Sequence, residues 1–294
     1  MNNSPRILVA GSTGYLGSHI VKQLLEQQMD FKALARSRSK LQQLGVDNAQ
    51  IVQAQVTDAQ QLQGICDGVE VVISCLGITR QRDGLGYADV DYGANLNLLL
   101  EAERAGVKKF IYVSAFNAAQ FPKVRLLNAK ERFARRLLSS TTVTPCVIRP
   151  NGFFSDLEEI YHMAKSGRAY LFGQGELKLN PIHGADLARF CLEAISRTEQ
   201  ELDVGGPDVL SAKQIAQLAF DALEREAKLT HLPDWMRRAS LVIAQHLPEK
   251  WAGPFEFFLA AMGNDAIAPR YGCHHLKDHY RLLAKQTHHA VRSQ

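Results

Sequence analysis

The stretch that constrains this chain most is Gly11-Ser12-Thr13-Gly14-Tyr15-Leu16-Gly17. It follows a short apolar run, Arg6–Ala10 (RILVA), which reads as a buried strand because it is β-branched and stops at glycine. It precedes Tyr15–Gln28, where Leu16, Ile20, Val21, Leu24 and Leu25 recur at the spacing of a helix with one buried face. Phe31–Ala35 (FKALA) is a second strand, so a βαβ unit is complete by about residue 36. Each glycine then has a physical purpose. Gly11 permits the tight turn, Gly14 lets backbone N–H groups approach a pyrophosphate, and Gly17 lets the helix lie close to the strand. The helix N-terminus turns free N–H groups and a positive dipole end toward the phosphates. Three glycines alone mean little, but between a strand and a helix in a first βαβ unit they predict a dinucleotide site.

The alternation continues. Gln50–Gln53 and Val69–Cys75 read as strands, a helix covers roughly 92–105, and Lys109–Ser114 is a fifth strand. Asn128–Ser139 reads as a helix and Val143–Arg149 as a sixth strand. Strands alternating with helices imply an α/β fold, a doubly wound parallel Rossmann sheet over residues 1–150. After Pro150 the rhythm changes. Residues 151–180 are rich in glycine and aromatics, and Gly184–Arg197 reads as a helix, with 181–198 packing back onto the sheet. Ser211 is the N-cap expected for a helix to Leu223, and residues 229–263 carry both tryptophans, broken by Pro233, Pro248 and Pro254. Segments 151–180 and 199–294 are therefore expected to form a smaller, mainly helical substrate or lid region over the mouth of the sheet.

Composition narrows the classes. With 46% hydrophobic and 22% charged residues the chain is not disordered, and a net charge of +4 falls short of a nucleic-acid-binding signature. The five cysteines are scattered without a CxxC pair, and four lie in apolar stretches, as thiols of a reducing compartment would. No apolar run is long enough to span a membrane, and the N-terminus enters a strand directly, so the expectation is a cytoplasmic protein. The tail Cys273-His274-His275…His279 sets two histidines four apart, but no second ligand pair has matching spacing. It reads as a solvated basic tail, with no metal.

The end of the second strand indicates the nucleotide. Where NAD-preferring proteins place Asp or Glu for the ribose 2′-hydroxyl, this chain has Arg36-Ser37-Arg38-Ser39-Lys40. A carboxylate would repel a 2′-phosphate. Arg36 can clasp one bidentately with help from Arg38 or Lys40 and a hydroxyl of Ser37 or Ser39, so NADP(H) is the expected cofactor.

The glycine spacing is GxxGxxG, and GSTGYLG together with RPNGFFSDL (149–157), NPIHGADLA (180–188) and VGGPDVLSAKQIA (204–216) resembles the atypical short-chain dehydrogenases/reductases. The NmrA-like and isoflavone-reductase-like groups are the nearest in pattern, over about residues 6–220. The resemblance implies that Asp58 lies near the adenine amine, a place where it can equally cap a helix. It implies too that Cys75, Leu76, Gly77 and Pro150 border the nicotinamide end. It further implies a Ser or Thr after the fifth strand, matched by Ser114, and a Tyr-xxx-Lys on the next helix. Lys130 stands at the lysine, but Leu126 occupies the tyrosine position and cannot move a proton. Two roles for Lys130 stay open: an acid/base, if its surroundings lower its pKa, or a ligand of the ribose alone. A surface lysine in a run of charges is the plain alternative. Asn117, Tyr161 and His183 are candidate substrate-side donors, with a structural role favoured for His183, and Phe153, Phe154 and the aromatics of 161–172 suggest an apolar wall or, equally, packing between the two regions. The leading expectation is an NADP(H)-dependent oxidoreductase acting on a small apolar substrate, with Lys130 and Ser114 at the reaction. The second is an NADP(H)-binding redox sensor or assembly protein that recruits a protein partner. A nucleotide-sugar epimerase comes last, since it needs the tyrosine and the acidic residue.

Overall fold

The computed structural model describes residues 5–78 and 84–292. The strands β1 (Ile7–Ala10), β2 (Phe31–Ala35), β3 (Ile51–Gln53), β4 (Val71–Ser74), β5 (Lys109–Val113), β6 (Thr144–Pro150) and β9 (Glu201–Val204) form one seven-stranded sheet, ordered β3-β2-β1-β4-β5-β6-β9. Every pairing in it is parallel. The chain order reverses between β1 and β4, and that reversal opens a crevice at the strands' carboxyl ends.

Helices cover both faces, as a parallel sheet requires. On one face α1 (Tyr15–Glu26) and α6 (Gly184–Glu193) bury Ile20, Val21, Leu24, Leu187 and Cys191 against Ile7, Val9, Ile73 and Ile111. On the other, α3 (Asn95–Ala105) and α4 (Arg125–Leu138) bury Leu98, Leu99, Phe133 and Leu137 against Leu8, Val72, Phe110 and Tyr112. Alternate residues of each strand serve opposite faces, so adjacent Ile111 and Tyr112 belong to different cores. A short helix, α2 (Arg38–Gln43), follows β2. α3 is preceded by a widened, π-type turn over Ala88–Ala94. Such turns recur at functional sites, and this one carries a buried aspartate discussed below.

β9 lies in a segment the sequence reading had assigned to the lid region. It closes the sheet beside β6, where Arg149 donates to Glu201 (2.8 Å) and to Glu131 of α4 (2.7 Å). Lys109 ties α6 to the sheet by donating to the carbonyls of Ala194 (2.6 Å) and Ile195 (3.2 Å), at the helix C-terminus where a cation is favoured.

The remaining elements build a smaller, mainly helical region. These are α5 (Glu158–Lys165), β7 (Ala169–Phe172), β8 (Lys178–Leu179), β10 (Leu210–Ser211), α7 (Ala212–Ala222), β11 (Leu229–Leu232), α8 (Asp234–His246), α9 (Glu249–Ala261) and α10 (Leu276–Arg292). Phe154, Ile160, Tyr161, Ile215, Phe220 and Tyr280 form its own core. Ser211 caps α7 in a reciprocal box with Gln214, as its position predicts. Buried Asn151 and Asn180 knot the region to the end of β6: Asn151 donates to Asn180 (2.7 Å), and Asn180 donates to the carbonyl of Ala268 (2.9 Å).

Candidate dinucleotide and substrate site

The glycine loop sits at the crevice. Gly11 has φ +79°, in the left-handed region, and a Cβ on it would lie 2.9 Å from the Cys75 carbonyl carbon and 3.2 Å from Leu76 N. The loop after β1 therefore rests directly on the one after β4. A Cβ on Gly17 would meet the Gly11 carbonyl oxygen at 2.1 Å, so only glycine lets α1 close onto the loop. Gly14 begins α1 in extended conformation, and its N–H donates to the Gly11 carbonyl at 3.0 Å. The first turn carries no acidic side chain, and among the described residues no side chain caps it. Its N–H groups are placed to receive an anion. Ser12 is turned inward, its hydroxyl on the Leu34 carbonyl (2.8 Å), and so braces the loop. Thr13 lies in the turn, while Leu16 is buried on the inner face of α1. Tyr15 reaches the other way, its hydroxyl accepting the Gly184 N–H (3.2 Å) and its ring edge-on to Phe153.

The basic segment begins where β2 ends. Arg36 is exposed, and its carbonyl accepts from Gln53 (3.2 Å). Ser37 shares a hydrogen bond with Ser39 (3.0 Å), and Arg38 is turned to Asn48 (3.3 Å). Asp58 caps the short helix after β3, accepting from Gln60 N (3.0 Å) and the Gln61 side chain (2.9 Å). The capping role expected of it is thus occupied on both oxygens.

Cys75, Leu76 and Gly77 follow β4 as expected, and burial pushes the Cys75 thiol up to about 12, the direction that keeps it protonated. Behind Gly77 lies a group the sequence reading did not assemble. Lys130 Nζ is 3.1 Å from Asp91 Oδ1 in the π-type turn, with 14% of the lysine side chain exposed and none of the aspartate. The same ammonium lies 5.7 Å from the centroid of the Tyr112 ring on β5. Burial works to lower the lysine pKa, but Tyr112 and Asp91 outweigh it and hold the ammonium above the ordinary lysine range. That direction is opposite to the lowered pKa on which the acid/base role was conditioned. Leu126 is buried against Tyr87 and Ala129, filling the tyrosine position with core. Ser114 is different: its buried hydroxyl, at the carboxyl end of β5, has no hydrogen-bond partner among the described residues. An orphaned donor at the crevice, a phosphate-ready helix terminus and a lysine beside the loop after β4 together fit a dinucleotide.

A family model described as NAD(P)H-binding matches residues 11–198. The chain belongs to that NAD(P)H-binding family. Its relatives include proteins of the atypical short-chain dehydrogenase/reductase type. The chain is 30% identical to the chloroplastic divinyl chlorophyllide a 8-vinyl-reductase of Arabidopsis thaliana, over 79% of this chain and 61% of that protein. It therefore spans about three fifths of that relative. It is 28% identical to the photosystem II assembly factor Ycf39 of Synechocystis, over 78% of this chain and 71% of that protein. An NADPH-dependent quinone oxidoreductase of Escherichia coli, solved with NADPH, shares the fold with a TM-score of 0.70 and 20% identity, covering 94% of this chain and 99% of that one.

In this family member an apolar cleft lies beyond the carboxyl ends of β5 and β6. Ala115, Asn117, Pro150 and Phe153 line it together with Phe172, Leu177, Phe257 and Met262. Its empty space, about 1320 Å³, includes the part open to solvent. Among the described residues its lining includes neither Lys130 nor Ser114, which lies one position before Ala115. Asn117 does line it, from a left-handed conformation (φ 56°). Of the expected aromatic wall, Phe153 and Phe172 are present, whereas Phe154 and Tyr161 turn into the core of the smaller region.

His183 is built into the scaffold. Its Nδ1 accepts the Ala185 N–H (3.2 Å) to cap α6, and its ring stacks on His274 at 4.3 Å. Burial, then the neighbouring His274, His19 and His279, hold its pKa down at about 4. Because the folded value lies below the unfolded one, near 6.5, the unfolded chain binds the proton first on acidification. Stability is expected to fall as pH drops from about 6.5 to about 4, and His183→Gln to flatten that slope in thermal melts. Equal slopes would show that the imidazole is not held neutral. The paired histidines of the tail diverge, His275 to Asp208 (2.8 Å) and His279 to Glu158 (3.0 Å). Asp186, Cys273 and His274 bring three donor atoms together, but Asp186 already accepts from both backbone N–H groups of 273 and 274 and from Arg189. That carboxylate fastens the loop.

Among the described residues no helix is long and apolar enough to cross a membrane.

Proposed function

We propose that this chain is an NADP(H)-dependent reductase whose substrate is apolar and lies in the cleft beyond β5 and β6. What supports the reading is the place of that cleft: Ala115, just past β5, and Pro150–Phe153, at and just past the end of β6, line it, at the carboxyl edge of the sheet where ligands bind. When bound, the nicotinamide supplies hydride at the boundary between the two. Ser114 offers the unpartnered hydroxyl nearest that boundary in sequence, as a hydrogen-bond donor to the reacting oxygen or to the carboxamide. Lys130, fixed in its charged form, binds ribose hydroxyls and lends positive potential instead of shuttling a proton. The apolar walls exclude water and favour a flat, conjugated molecule, a class that includes the substrates named for the reductase and oxidoreductase relatives. Arg36 selects the 2′-phosphate.

The test is a fluorescence titration of wild type and Arg36→Ala with NADPH and NADH. Wild type is expected to prefer NADPH by about tenfold or more, and the variant to lose that preference, since a charge-assisted contact contributes about 1.5–3 kcal/mol. A variant that keeps the preference would remove Arg36 from the 2′-phosphate site.

A second reading, an NADP(H)-binding sensor or assembly protein, draws on a separate observation. The α8–α9 hairpin turns Trp235 (68% exposed), Trp251 (74%) and Phe255 (65%) outward, an apolar face of the kind that marks partner surfaces. NADPH binding without consumption by any quinone or conjugated acceptor would favour it.

A further inference from the structure

We infer that Asp91 and Tyr112 are positioning residues that fix Lys130 behind the Gly77 turn, so that its ammonium reaches the nicotinamide half of the dinucleotide. The inference rests on the proposed nucleotide reading and adds the residues that make the lysine usable.

The arrangement is built from four separate pieces of chain. Asp91 comes from the π-type turn, Tyr112 from β5, Lys130 from α4 and Gly77 from the turn after β4. A Cβ on Gly77 would lie 2.7 Å from Asp91 Oδ1 and 3.0 Å from Lys130 Nζ, so a side chain there would displace the ends of the ion pair. The Ile78 N–H donates to Asp91 Oδ2 (3.3 Å), which ties the carboxylate to the same turn. Beneath it, buried Asn95 donates to the carbonyls of Asp91 (3.0 Å), Val90 (3.3 Å) and Leu76 (3.4 Å) and accepts from Ser74 (2.5 Å). One amide thus holds the aspartate's turn and the loop after β4 together. Asp91 is fully buried and Lys130 is not, so the lysine is the member of the pair that faces outward.

An ion pair placed this way has a use that a structural pair lacks. A flexible lysine would lose rotamer freedom on meeting the ribose, whereas this one is ordered beforehand. A buried carboxylate with an aromatic ring beneath the ammonium also keeps it charged when the nucleotide displaces water. Leu126 then matters less, because the lysine does not depend on a neighbouring tyrosine of α4 for its orientation.

The experiment is calorimetric titration of the full chain with NADPH and, separately, with adenosine 2′,5′-bisphosphate, which lacks the nicotinamide half. Asp91→Asn keeps shape and removes charge. It is expected to weaken NADPH binding by about tenfold or more and to leave the bisphosphate within about twofold. Tyr112→Leu, which removes the ring beneath the ammonium, is expected to weaken NADPH by about threefold with the bisphosphate again unchanged, and it serves if Asp91→Asn does not fold. Equal losses for both ligands would mean a general structural role, and unchanged NADPH binding would mean none; either overturns the inference. Wild type that binds neither ligand would instead overturn the nucleotide reading itself.

Discussion

Gly17→Ala is expected to abolish NADPH binding and to cost about 3 kcal/mol of stability or more. The added methyl would sit 2.1 Å from the Gly11 carbonyl oxygen and 2.8 Å from both the Gly11 carbonyl carbon and Ser12 Cα. All three are backbone atoms, so no side-chain rotation relieves the contact. Either α1 moves off the sheet or the loop opens. The first exposes part of a face that buries Leu16, Ile20, Val21 and Leu24, each contributing about 1.5–3 kcal/mol. The second disperses the N–H groups that would face the pyrophosphate. Overpacking commonly costs about 1–3 kcal/mol, and the rigidity of the obstacle places this case at the upper end or beyond. Gly14→Ala is the control, since its Cβ would meet only the Gly11 oxygen, at 3.2 Å, and its φ is negative. It should keep the fold. Thermal unfolding and NADPH titration of both variants decide the matter; a Gly17→Ala protein that melts and binds like wild type would show slack between helix and loop.

Arg125→Ala is expected to be the most damaging single change outside the nucleotide site, at about 3–5 kcal/mol in urea unfolding. Glu256 on α9 is 1% exposed and accepts from Arg125 twice, from its backbone N–H at 2.9 Å and from Nε at 2.7 Å. The same guanidinium donates to the carbonyls of Leu247 (3.0 Å) and Ala244 (3.1 Å), at the end of α8. Removing it leaves a buried carboxylate with only the backbone N–H of residue 125 and frees two helix-terminal carbonyls at once. An exposed pair would contribute about 0.2–1 kcal/mol, so burial decides the size of the effect. The consequence reaches the cleft, because α9 supplies Phe257 and Phe258 to its wall. Glu256→Gln, which keeps acceptor and shape, should cost less. A loss under about 1 kcal/mol for Arg125→Ala would mean that the hairpin is not held at this point.

The parts of this architecture readable from sequence are those fixed by local chemistry. The glycine loop, the first six strands and the Ser211 cap depend on residues adjacent in the chain. β9 did not stand out, because Glu201-Leu202-Asp203-Val204 is a short alternating edge strand whose identity comes from pairing with β6. β7, β8, β10 and β11 have two to four residues each, too few for a period to show. Phe153 and Phe154 are neighbours with opposite destinations, one in the cleft and one in a core, a choice made by Ile182 and α10 far along the chain.

The group around Lys130 was hidden for a different reason. The helix was read from Tyr92, because the π-type turn over 88–94 interrupts the 3.6-residue period just where Asp91 lies. A signal was present all the same. Asp91 and Asn95 fall four apart on the stripe that continues through Leu98 and Ala102, and polar residues at core positions ask for partners. Tyr112, buried on β5 beneath Lys130, is one of them.

The most direct test of the whole account is a crystal structure of the chain with NADPH. The account predicts the pyrophosphate at the N-terminus of α1, the 2′-phosphate on Arg36, and the nicotinamide between Gly77 and Ser114 with its hydride-bearing face toward the cleft at Ala115 and Phe153. A nicotinamide turned away from that cleft, or a cleft closed when the nucleotide binds, would contradict it.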